Sequence, residues 1–345
     1  MHLLLITAIL LCSMPSLGAR ELASQSLVTL PSSNISDPSV AVITDNDSSS
    51  SSQADSKKLS VSNHIVIDSL SSLFKVISTA NKIVNYHSLM TYEANGFITT
   101  YRLLHKVKDN VAQEQLIFMD GPRRQVIRKQ KLNACLSGDT RWGLWPTVLS
   151  ESLLSAYTLN AQRVERIADR EAIVFGILPK DALRYAYEYS IDKETGLLLR
   201  VVTYHKKVII ERLQTVAIEF SSSESQLEFT GVSDYLWRVA EAEPCYTEQF
   251  EPAWRADWLP DGFISVGNRI TAQGEQVLIF ADGLVSISVF IIKRNAKNLQ
   301  RATARHGATV VVITPESSKS NKTIAVVGEI PTATAIRIAA FIKPI

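Results

Sequence analysis

Cations crowd one short stretch of this chain. After Phe118-Met119-Asp120-Gly121-Pro122 come Arg123 and Arg124, then Arg128, Lys129 and Lys131. Guanidinium groups at this density can grip phosphate or carboxylate through paired, charge-assisted hydrogen bonds. The fitting guests are an anionic headgroup or an acidic peptide. The plainer reading is the solvated basic end of a strand. A phosphate-cradling P-loop is excluded, because no glycine-rich nest precedes these residues and no G-x-x-x-x-G-K-[ST] occurs. Asp120-Gly121 is turn chemistry, and Pro122 removes a backbone donor where the next strand would begin. That combination predicts a corner wider than a two-residue hairpin, at a sheet edge.

Two further groups of side chains invite a binding role. Tyr185, Tyr187 and Tyr189 alternate along a strand and so share one face, together with Ile191. They read either as cross-strand core packing or as the lining of a half-closed barrel open to an apolar ligand. Trp254, Trp258 and Phe263 cluster in AWRADWLPDGF. They either plug the core of a small domain or form a protein-contact surface. Catalytic and metal chemistry finds no foothold. There is no G-x-G-x-x-G, no H-E-x-x-H and no G-x-S-x-G, and His64, His87, His105, His205 and His306 are scattered. The acid pair Asp169/Glu171 lies in a charged turn, where solvated salt bridges are the default. Neither an enzyme, a metal site nor a cofactor is expected.

The chain of 345 residues, 46% hydrophobic and with a formal charge of +2, is long enough for two cored domains. The near-neutral balance argues against a general nucleic-acid binder. Leu3 to Cys12 is an apolar run of signal-peptide length, too short to span a bilayer. Leu17-Gly18-Ala19 offers a cleavage site before Arg20, so residues 1–19 are expected to be removed on export. A lipid anchor at Cys12 is the lesser reading, since Leu11 is bulkier than a lipobox prefers. Cys135 and Cys245 then remain, either as a disulfide or as two separate thiols.

Residues 20–62 are serine-rich and read as a flexible leader. Val66, Leu70, Leu73, Ile77, Ala80 and Val84 recur at three- and four-residue steps, which predicts an amphipathic helix. Short strands follow at 97–103, 115–119, 125–128, 172–178, 184–191, 197–204, 208–213 and 216–220. Together with the helix they predict a large N-terminal domain over 63–222. Weak periodicity over 223–252 reads as a linker. A smaller domain over 253–345 carries strands at 277–280, 284–293, 309–313 and 324–327, then a helix from Pro331 to about Lys343 with Thr332 as its N-cap. The class is α+β: a curved antiparallel sheet around a helix, plus a smaller α+β unit.

FMDGPRRQVIRK resembles a corner of the RseB/MucB family, periplasmic regulators of the sigma-E type stress response. The resemblance continues, in order, through RIADREAIVF, YSIDKETGLLLRVV, DWLPDGFISV, FADGLVSISVFI and VVGEIPTATAIRIAAFIK, and covers about Ile65 to Lys343. It implies a LolA-like half-barrel and a small C-terminal domain. It also implies a periplasmic protein that binds the periplasmic region of an RseA/MucA-like anti-sigma factor and shields it from a DegS-type protease. Lipopolysaccharide or another amphiphile would release it. Homo-oligomers are compatible with that role. The alternative is a periplasmic lipid or lipoprotein carrier of LolA/LolB type. The serine-rich leader has no counterpart in the family pattern.

Overall fold

The computed structural model describes residues 65, 67–131, 155–221, 236–241, 251–271, 274–293, 301–315 and 321–345. The signal segment, the leader, both Cys135 and Cys245, and most of the expected linker lie outside them.

The predicted first helix is α1 (Leu70–Ile83). Its N-cap is Ser69, where a capping box closes. The Ser72 amide donates to Ser69 Oγ at 3.2 Å and the Ser69 amide donates to Ser72 Oγ at 3.0 Å. Leu70, Leu73, Phe74, Ile77 and Ala80 form its buried face. Each large apolar side chain buried this way contributes roughly 1.5–3 kcal/mol.

That face covers a ten-stranded sheet. Its strands are β1 (Tyr86–Ala94), β2 (Phe97–Lys108), β3 (Val111–Phe118), β4 (Arg124–Lys131), β5 (Tyr157–Ile167), β6 (Arg170–Pro179), β7 (Ala186–Asp192), β8 (Leu198–His205), β9 (Val208–Phe220) and β10 (Leu236–Glu241). The spatial order is β10-β4-β3-β2-β1-β9-β8-β7-β6-β5. Every pair is antiparallel except β10–β4, which is parallel. The register shifts at Leu89/Met90, Asn160/Gln162, Ser190/Ile191 and Thr203/Tyr204. Each such bulge adds local bend and twist.

In the large sheet, expectation and structure differ over β1, β5, β9 and β10. The strands predicted at 208–213 and 216–220 are one strand, β9, because the polar Gln214-Thr215 step between them pairs with Thr91 and Met90 of β1. The 223–252 linker contains β10, hydrogen-bonded beside β4. Neither β1 nor β5 is marked by a periodic signal in the sequence.

The second sheet is smaller. Its strands are β12 (Ile264–Ile270), β13 (Gln276–Ala281), β14 (Ser286–Lys293), β15 (Ala302–His306), β16 (Thr309–Pro315) and β17 (Lys322–Gly328), in the order β12-β13-β14-β17-β16-β15. The second helix, α2 (Thr332–Ala340), turns Ala335, Ile338 and Ala339 inward. Its N-cap is Pro331, not Thr332, and no side chain caps it. Proline's fixed φ suits this entry, and Thr334 Oγ1 instead donates to the Leu183 carbonyl at 3.0 Å. A two-stranded ribbon pairs β11 (Trp254–Ala256) with β18 (Ile342–Pro344). The α+β class therefore holds in both parts. One continuous core joins them: Leu73, Phe74, Phe175 and Tyr189 cluster with Phe263, Phe280, Val326 and Ile338.

Candidate functional site

The seam between the two sheets is built from charged and aromatic groups contributed by both. Arg184 lies in the β6–β7 connection and Asp282 in the β13–β14 turn, with side chains 1% and 0% exposed. Arg184 Nε donates to Asp282 Oδ2 at 2.8 Å, and the Tyr157 hydroxyl donates to the same oxygen at 2.9 Å. Asp282 Oδ1 accepts from the Leu284 and Val285 amides at 3.0 and 2.9 Å. The guanidinium also bonds Asp181 and the Asp261 carbonyl, and stacks over the Phe263 ring at 5.0 Å. A buried ion pair persists only when its remaining donors and acceptors are met in this way. Burial and the neighbouring Asp282 carboxylate push the Tyr157 hydroxyl well above its usual range.

A second tie lies on β9. Glu211 Oε2 accepts from the Ala308 amide at 2.8 Å and from the Tyr92 hydroxyl at 2.9 Å, while Oε1 accepts from Thr203 at 3.1 Å. Gly307, with φ 56°, leaves no room for a Cβ against that carboxylate. Burial raises the Glu211 carboxyl, and the three donated bonds oppose the rise. Burial also pushes the half-buried Glu329 up to about 7, with repulsion from Glu211 and Asp282 adding to it. The Tyr185 hydroxyl completes the seam by donating to the Ile330 carbonyl at 3.0 Å.

The three tyrosines expected on one face do share it, and all are buried. Tyr189 meets Phe74 of α1 edge-on at 6.2 Å and Tyr187 at 6.1 Å. Tyr185 meets His205 edge-on at 5.4 Å. The Tyr187 hydroxyl is buried with no hydrogen-bond partner among the described residues.

Of the aromatic trio, Trp254 and Phe263 are buried in the joined core. Trp258 is half-buried beside Phe341, with Arg337 3.8 Å over its ring.

The basic stretch sits elsewhere, at one end of the large sheet. Residues 119–123 connect β3 to β4 in a wide corner, with Gly121 at φ 74°, but not at the expected sheet edge, because β10 pairs alongside β4 from Arg124 onward. Asp120 ties the corner down by accepting from the Thr100 amide at 2.5 Å. Arg123 is exposed. Arg124 lies 4.0 Å over the Phe118 ring, and its buried Nε has no partner among the described residues. The side chain of Arg128 lies outside the described set. The structure therefore keeps Arg123 and Arg124 together and sets the tyrosine row and the Trp254 group apart from them at the seam.

Sequence reasoning missed Arg184, Asp282 and Glu211. Their partners are 98 and 97 positions away, beyond any local pattern. The one available signal is Asp282-Gly283, a turn dipeptide inside an otherwise apolar run.

Two sheets locked through one buried polar seam define a two-part α+β scaffold. The N-terminal domain description of MucB/RseB matches residues 69–233, and the C-terminal domain description of MucB/RseB matches 248–343. The chain belongs to the MucB/RseB family. It is 30% identical to the sigma factor AlgU regulatory protein MucB of Pseudomonas aeruginosa over 287 residues, 78% of this chain and 89% of that one. It is 26% identical to the sigma-E factor regulatory protein RseB of Escherichia coli K12 over 79% of this chain and 89% of that one. Among solved structures, the complex of Pseudomonas aeruginosa MucA and MucB aligns with a TM-score of 0.62 at 28% identity, covering 79% of this chain and 98% of that chain.

Proposed function

We propose that this chain is a periplasmic regulator that binds the periplasmic region of a MucA/RseA-like anti-sigma factor and shields it from a DegS-type protease. The observation that carries this reading is similarity through both sheets to a protein solved in complex with MucA. The mechanism is occlusion: the bound segment is held out of reach of the protease, and no bond is made or broken by this chain. An amphiphile that favours the unbound form shifts the population. Converting mostly bound to mostly free takes about 5.5 kcal/mol of discrimination. At roughly 0.8 kcal/mol per buried methylene, about seven methylenes of an acyl chain supply it.

In this reading Arg123, Arg124 and Arg128 meet the anionic headgroup. Among the described residues the buried Nε of Arg124 has no partner, and a headgroup reaches it only by opening the β3–β4 corner. Tyr185, Tyr187 and Tyr189 meet the acyl part, which enters only by loosening the packing of α1 or the second sheet on that row. Trp254, Trp258 and Phe263 support the anti-sigma contact. Trp258 can do so directly, whereas the buried Trp254 and Phe263 act by holding the small sheet.

The test is cleavage of the anti-sigma periplasmic segment by its protease. Purified chain should slow cleavage in proportion to the bound fraction, and lipopolysaccharide should restore it. Arg124→Glu should raise the lipid dose needed for release by about tenfold, the worth of one charge-assisted contact. Unchanged cleavage at saturating chain refutes the shielding role, and an unaltered lipid dose response refutes the arginine site. Transfer of labelled lipid between acceptor vesicles, with no effect on cleavage, would identify a carrier instead.

A further inference from the structure

We propose that the end of the large sheet formed by the β1–β2, β3–β4 and β8–β9 turns docks on an anionic lipid bilayer. The three turns are neighbours. Ala94 pairs with Phe97 on one side and Glu211 on the other, which sets the β1–β2 turn beside the start of β9. Tyr101 pairs with Phe118, and the Met119 amide donates to the Thr100 carbonyl at 2.9 Å, which sets the β3–β4 corner beside β2. Strands β4 to β8 in the order β4-β3-β2-β1-β9-β8 make a rim about 24 Å long at ~4.8 Å per strand.

The rim is apolar where turns are ordinarily polar. Phe97 is 77% exposed, Ile98 66% and Val208 64%, and Met119 and Ile209 are exposed as well. Single exposed hydrophobics are ordinary. A contiguous group along one rim marks an interaction surface. The first residues after the Asn95-Gly96 and Lys206-Lys207 turns are Phe97-Ile98 and Val208-Ile209. Each hairpin thus carries two large hydrophobic side chains at its tip.

Charge selects the partner. Lys206 and Lys207 fill both central positions of the β8–β9 turn, at φ 50° and 68°, and both are exposed. Asparagine and glycine fit that conformation at lower cost. Lysine there places two ammonium groups beside Val208 and Ile209. Of the acids nearby, Glu93 is paired with Arg212 at 3.2 Å, and the single charge of Asp120 sits with Arg123 on the β3–β4 corner. Apolar tips inside a cationic collar suit a bilayer interface, with hydrocarbon below the headgroups and ammonium at phosphate level. This inference goes beyond the regulatory reading and does not rest on it.

The experiment sediments the processed chain, without residues 1–19, with vesicles of phosphatidylcholine alone and of phosphatidylcholine mixed with phosphatidylglycerol. The expected result is saturable binding to the mixed vesicles, weaker binding to the neutral ones, and loss in high salt. Phe97→Ser with Ile98→Ser, and separately Lys206→Glu with Lys207→Glu, should each lower the apparent affinity by about tenfold or more. A Phe97→Trp reporter should shift its emission to the blue on the mixed vesicles and be quenched by brominated acyl chains. Absence of sedimentation, or equal sedimentation of the parent and both variants, overturns the proposal. So does a reporter that stays in water, which decides the matter if a double variant fails to fold. A dimer lost in the Phe97/Ile98 variant, with no vesicle binding, would mean the rim joins two copies, and also overturns it. No anti-sigma segment is present in the assay, so failure here leaves the shielding role standing, and the cleavage assay fails independently of this one.

Discussion

Arg184→Ala is the substitution that most directly probes how the two sheets are held together. It removes Nε from Asp282 Oδ2 and leaves that carboxylate, with no solvent exposure, bonded only to Tyr157 and two turn amides. It also uncovers the Phe263 ring. Breaking one partner of a buried pair costs about 3–5 kcal/mol. For a protein of this size, at about 2 °C per kcal/mol, the melting temperature should fall by roughly 6–10 °C. Arg184→Lys keeps the charge but gives up the fork that reaches Asp282, Asp181 and the Asp261 carbonyl together, so its loss should fall between the two. Adding Asp282→Asn to Arg184→Ala removes the stranded charge and should recover part of the stability. That recovery separates the cost of an unpaired carboxylate from the cost of lost packing. Differential scanning calorimetry of the three variants measures this. A fall of less than about 2 °C for Arg184→Ala would refute the claim that this pair locks the seam.

Two further outcomes follow from the same seam. Glu329 has its pKa pushed up to about 7 by burial, above the ~4.3 of an unfolded glutamate. A group that binds its proton more tightly when folded gives its full stabilisation below the unfolded pKa and loses it as pH rises to the folded one. Glu329→Gln should therefore melt increasingly above the parent as pH goes from about 5 to about 8, and parallel melting curves would contradict this. Gly307→Ala puts a Cβ onto the Glu211 carboxylate and the Tyr92 hydroxyl at a left-handed backbone position, which should cost about 1–3 kcal/mol in urea unfolding. An unchanged midpoint would show that the hairpin moves aside freely.

Local chemistry made much of the fold legible. α1 is visible because Leu70, Leu73 and Ile77 repeat at helical spacing, and the corner at Asp120-Gly121-Pro122 because proline forbids a tight hairpin. β1 was hidden because its inward positions, Tyr86, Ser88, Met90, Tyr92 and Ala94, mix polar and small residues with large ones. β5 was hidden because its outer side carries Arg163 and Glu165 in a solvent-facing ion network with Glu188 and Arg200. β10 takes its place by pairing with a strand more than a hundred residues earlier in the chain. For the binding groups, side-chain type and strand period placed the tyrosines on one face. Neither could say that α1 and a second sheet cover that face, since burial there is settled by contacts such as Tyr185 with Ile330.

The β7 aromatic row is roofed partly by its own helix and partly by the other sheet. Exchanging halves between relatives would therefore have to carry both sides of each tie at once: Arg184 with Asp282, and Glu211 with the bare Gly307. A graft that respects only the boundary in the chain would strand one member of each couple. Inherited change at these positions should accordingly come in pairs, separated by about a hundred residues of sequence.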